Sequence, residues 1–138
     1  MNADQNLFEE LSFYTMAHTG GIFIHQYIVD AFGAQTATRE GKPIRVVFSL
    51  VGLYLYLEHD YTGRQVQLFH MKMAKRKISW PEISLPEDRG EITVKTVLET
   101  QPGQARDEMI KKWCEAVWVS FSSNRETIKA LVEHYNKQ

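Results

Sequence analysis

The stretch Val46 to Leu57, VVFSLVGLYLYL, decides the fold. Only Ser49, Gly52 and the tyrosines Tyr54 and Tyr56 relieve its hydrocarbon. It is too short to cross a bilayer, which takes about 20 apolar residues, and it suits a helix buried in the middle of a bundle. Pro43, just ahead of it, fits the first turn of such a helix, where a missing N–H leaves no bond unmade. On a wheel of about 100° per residue the less apolar stripe is Arg45, Ser49, Gly52, Tyr56 and His59. The small pair Ser49 and Gly52 would let another helix approach closely. Glu58 lies on the other side, in line with Val47, Val51 and Tyr54.

Upstream, Leu7, Leu11, Tyr14 and His18 fall along one line of a helix, flanked by Phe8 and Thr15. Thr19, Gly20 and Gly21 interrupt the pattern. It resumes over Ile22 to Gln35, IFIHQYIVDAFGAQ, with Ile24, Ile28, Val29, Ala31 and Phe32 on one broad arc. His25 lies inside that arc, and Gln26 and Asp30 share the opposite, polar side. A polar connection, Thr36 to Lys42, leads into the central helix.

Downstream, Thr62 to Gln65 reads as a capping box opening a helix over Gly63 to Lys75, whose core arc is Val66, Phe69, His70 and Met73. Ile78 to Gly90, ISWPEISLPEDRG, has two prolines and no period, which predicts an irregular crossover pinned by Trp80. Ile92 to Leu98 is read as a short helix capped by Thr93. Gln104 to Phe121 carries the clearest amphipathic stripe: Ile110, Trp113, Cys114, Val117 and Phe121. A second capping box, Ser123 to Glu126, precedes Ile128, Leu131, Val132 and Tyr135 at helical spacing. The expectation is an all-α bundle, a single domain over residues 1–138, of about five main helices with a short extra helix and an irregular Trp/Pro loop.

Charged residues at 24%, hydrophobic residues at 43% and a net charge of -1 are those of an ordinary globular protein, neither disordered nor membrane-embedded. That charge gives no drive towards nucleic acid. The basic run Met71 to Lys77, MKMAKRK, scatters its cations around a helix and reads as a solvated face. The start, MNADQNL, shows no secretory signal, and Cys114 alone excludes an internal disulfide or a Cys-x-x-Cys site. A cytoplasmic location is expected. On the packed stripe beside Trp113, the Cys114 thiol should be inert.

Four titratable side chains nevertheless fall on core-facing arcs: His18, His25, Glu58 and His70. A buried polar group is costly unless it is paired, hydrogen-bonded or bound to something. Three imidazoles and a carboxylate from separate helices are a ligand set for a divalent metal, zinc, iron or manganese, if they converge. Gln26, Asp30 and Arg64 would then orient the ligating rings from behind. No two of the four have ligand spacing on one helix. The competing reading makes each histidine a core residue donating to a backbone carbonyl and pairs Glu58 with Arg64 or Lys42.

The blocks Ala17-His18, FIHQYIVDAFGAQ (23–35), Lys42-Pro43-Ile44, LVGLYLYLE (50–58), GRQVQLFHM (63–71), Trp80-Pro81, Asp88-Arg89-Gly90 and Trp113 to Trp118 together resemble an uncharacterised bacterial family, a domain of unknown function. The resemblance runs from about Leu11 to the last helix. It implies a stand-alone bacterial protein and no particular activity. His18, His25, Gln26, Asp30, Glu58, Arg64 and His70 all fall inside those blocks. The chain departs from the family's wider pattern, which has an N-terminal pair of cysteines and further histidines near Thr36 and Ser49, and this weakens the case for zinc.

Two functions follow as expectations. The first is a helical bundle enclosing a His/Glu polar site for a divalent metal or a small-molecule ligand. An enzyme of this kind would be a metal-assisted hydrolase or an acid/base catalyst, with Glu58 as ligand or base. The second is a non-catalytic interaction or homo-oligomeric module without metal, using the Ser49, Gly52 and Tyr56 stripe as its contact.

Overall fold

The computed structural model describes residues 3–17 and 23–137. The helices are α1 (Ala3–Ala17), α2 (His25–Gln35), α3 (Pro43–His59), α4 (Gly63–Lys75), α5 (Val94–Glu99), α6 (Gln104–Ser120) and α7 (Arg125–Asn136), with a 3-10 turn at Ser122–Asn124. No strand occurs among the described residues. Six of the helices are long and α5 is short; each long one falls on one of the six periodic stretches, against an expected total of about five main helices.

The most apolar segment is central, as hydrophobic burial requires. α3 packs on α2, α4, α6 and α7, and Val46 to Leu55 are buried apart from the partly exposed Phe48. The small stripe on α3 is covered by α2 of the same chain. A methyl group added at Gly33 would overlap the Ser49 hydroxyl, and one at Gly52 would overlap the Asp30 carboxylate. Tyr27 and Tyr56 stack with centroids 3.6 Å apart. Ser49 and Gly52 therefore belong to an internal seam between α2 and α3.

α2 reverses part of its expected polarity: Gln26 and Asp30 are buried, whereas Val29 is exposed. α1, α3, α4 and α6 all contact α2, so little of its circumference is left to solvent, and its polar residues are enclosed with the rest.

The capping box of α4 forms as expected: Thr62 Oγ1 accepts from the Gln65 N–H at 3.1 Å, and Gln65 Oε1 accepts from the Thr62 N–H at 2.8 Å. The box expected at Ser123 to Glu126 does not form. The 3-10 turn joins α6 to α7 there, and Asn124, at the start of α7, makes no side-chain cap bond. Its amide instead clasps Ser84 in the crossover, accepting from the Ser84 N–H and donating to the Ser84 carbonyl, both at 2.8 Å.

The crossover between α4 and α5 lacks regular structure but is held at several points. The Tyr135 hydroxyl donates to the Arg76 carbonyl at 2.8 Å. Trp80 meets Phe48 edge-on, at 5.4 Å and 84°. Arg89 donates to the carbonyls of Ala34, Gln35, Ala37 and Pro86, closing the C-terminal end of α2 with a positive charge. No described helix is long and apolar enough to cross a membrane.

Candidate functional site

His18 lies outside the described residues. The other three members of the sequence-derived set each meet a different local partner. His25 Nδ1 lies 2.9 Å from Thr15 Oγ1, a hydroxyl that also lies 3.1 Å from the Ser12 carbonyl. Partial burial lowers the pKa of His25 and favours its neutral form. His70 Nε2 donates to the Phe48 carbonyl at 2.7 Å. Burial lowers its pKa to about 4, against the opposing effect of that bond.

Glu58 is not in the core. It sits at the rim of α3, where Oε2 accepts from the Trp118 indole at 2.8 Å and both oxygens accept from the Arg125 guanidinium. The hydrogen bond from Arg125 is the main reason its pKa is lowered. Its ion-pair partner comes from α7, and is neither Arg64 nor Lys42. Arg64 is exposed, donates to Gln67 at 3.1 Å and lies over the Phe23 ring at 4.9 Å. Among the described residues no three His, Cys, Asp or Glu side chains gather to hold a metal ion.

Gln26 and Asp30 form a pair of their own. The Gln26 amide donates to Asp30 Oδ1 at 3.2 Å, and Oδ2, packed towards Gly52, has no hydrogen-bond partner. Burial raises the Asp30 pKa well above the usual carboxylate value, opposed by the Gln26 bond. Burial also raises the Cys114 thiol pKa, and the thiol points at the Tyr27 carbonyl at 3.7 Å. In both groups burial disfavours the charged form, and Cys114 lies on the packed stripe, as expected.

A broad concavity lies elsewhere among the described residues. A groove of about 1040 Å³ runs between the connection 36–42, the first turn of α3 and the crossover. One side presents Arg39, Lys42 and Arg45; the other is walled by Trp80, Ile83 and Leu85. Glu82 is the lining's remaining charge. A smaller concavity of about 490 Å³ continues from it past Thr36–Arg39 and Leu85 towards Arg89. The ion pairs among the described residues are Glu58–Arg125 and Arg125–Glu126, so the three groove cations are in none of them. Three positive charges against the one carboxylate of Glu82 leave a net positive lining, which favours an anion in the groove. α3 begins in the same groove, and Lys42 at its N-cap provides no side-chain cap.

Sequence reasoning missed this site. The available signal was the spacing of Arg39, Lys42 and Arg45 at intervals of three around a helix start. The wall opposite comes from a segment without a period, some 40 residues later, and its placement depends on the Asn124 and Arg89 clasps.

A family model matches residues 5–122, and its description is a family of unknown function. No curated protein and no solved structure matches the chain.

Proposed function

Because the chain belongs to DUF5946, a family of unknown function, no activity comes with membership, and we propose from the site itself that the protein binds a small anionic molecule in the groove between the 36–42 connection and the crossover. One observation carries this reading: three cations without ion-pair partners line one side of a groove whose other side presents Trp80, Ile83 and Leu85 with the single carboxylate of Glu82. A concave site that sets apolar side chains against a few charged ones is the usual form of a small-ligand pocket. It keeps the small-ligand expectation and moves it out of the helix interior.

The test is a panel of small anions, from inorganic phosphate to organic phosphates and carboxylates, titrated by calorimetry and thermal shift. At least one is expected to bind and raise the melting temperature, and Arg39→Glu with Lys42→Glu to abolish both effects. Binding that survives the double reversal, or a panel without a binder, would overturn the proposal. Elemental analysis of the same preparation tests the metal reading of His18, His25, Glu58 and His70. The expectation is no stoichiometric metal; metal that disappears on His25→Ala and His70→Ala would reinstate that site.

A further inference from the structure

We infer that the ligand of this groove is a phosphomonoester carrying a planar aromatic body, an inference that rests on the groove being the binding site. Charge comes first. Arg39, Lys42 and Arg45 against Glu82 leave two formal positive charges in the lining. A phosphomonoester carries about -1.5 to -2 at neutral pH, matching that excess, whereas a simple carboxylate supplies half of it. The arginines add planar forks that can grip two phosphate oxygens at once.

Size comes second. A groove of about 1040 Å³ lies at the upper end of the range for drug-sized ligands, so a bare phosphate would leave most of it to water. The body of the ligand must therefore cover the opposite wall. There Trp80 is half-buried, braced edge-on by Phe48, with Ile83 and Leu85 beside it. A braced indole offers a fixed π surface, on which a planar ring stacks at little entropic cost. Phosphate at Arg39, Lys42 and Arg45 and ring at Trp80 would then span the groove from its basic side to its apolar side.

The experiment compares four probes on the full chain: adenosine 5′-monophosphate, ribose 5-phosphate, adenosine and inorganic phosphate. The nucleotide should bind at least about tenfold more tightly than each of the other three, since stacking and phosphate pairing each contribute that much. Trp80→Phe should retain most of the affinity and Trp80→Leu should lose about tenfold, while ribose 5-phosphate binding stays unchanged in both. Trp80 fluorescence should respond to the nucleotide and not to inorganic phosphate, with Trp80→Phe as the blank for Trp113 and Trp118. Ribose 5-phosphate binding as tightly as the nucleotide would overturn the aromatic body and leave the anion site standing. Adenosine binding as tightly would overturn the phosphate. If none of the four binds while another anion of the panel does, the ligand class is wrong and the groove is right. No binding by any anion removes both.

Discussion

Asp30 is enclosed and His70 partly so, and burial pushes their pKa values in opposite directions. The Asp30 pKa is raised in the folded state, so the native protein holds that proton more tightly than the unfolded chain does. Its contribution to stability is complete below the unfolded value near 3.8 and declines as pH rises towards the folded value. His70, lowered to about 4, does the reverse: its contribution is complete above 6.5 and is lost as pH falls through 4. Urea denaturation across pH 4 to 8 separates them. Asp30→Asn should flatten the decline towards alkaline pH, and a variant as pH-sensitive as the parent would show that the carboxyl is not the source. His70→Asn should remove a loss of about 3 kcal/mol between pH 6.5 and 4. An unchanged acid limb would place that loss elsewhere.

At the scale of elements, the closest approach is between α2 and α3. Gly52→Ala improves intrinsic helix propensity by about 1 kcal/mol, yet its methyl meets the Asp30 carboxylate. The steric cost should win, with a net loss of about 1–3 kcal/mol on chemical denaturation that Asp30→Ala in the same chain largely restores. A neutral Gly52→Ala would mean that the seam has slack. This contact also marks how far the sequence could be read. The wheel identified Ser49 and Gly52 as a place of close approach, because small residues leave room whichever helix arrives; it could not say that the arriving helix was α2. Glu58 shares the angular position of Val47 and Val51 but lies near the last turn of α3. The wheel gives angle and not height, and at that height the core has ended and Arg125 takes the place of apolar neighbours. Gln26 and Asp30 were placed on a solvent face because a helix covered by four others has almost none, a crowding that no single-helix pattern encodes.

Across the whole molecule, the all-α architecture, the central α3 and the irregular Trp/Pro crossover were legible because each rests on local periodicity or its absence. The groove was not, because it is made by connections, and connections carry no period. Its geometry depends on bonds that bridge distant parts of the chain, and Arg89, gripping four carbonyls, is the principal one on the α2 side. Arg89→Ala should cost about 1.5–3 kcal/mol and increase proteolytic nicking within 76–93. It should also weaken anion binding although the side chain is hydrogen-bonded to backbone, not to the ligand. Full affinity in a well-folded Arg89→Ala protein would show that the crossover holds its course without it.

The clasp between Asn124 and Ser84, with Tyr135 on Arg76 behind it, has a consequence in time. Asn124 and Tyr135 lie 40 and 59 residues C-terminal to the positions they hold, in a chain made from its N-terminus. On a ribosome, Arg39, Lys42, Arg45 and Trp80 emerge long before the residues that bring them face to face. A nascent chain arrested before residue 124 would carry α1 to α4 without the clasp on the crossover, so the far wall of the groove is fixed only once α7 has been made.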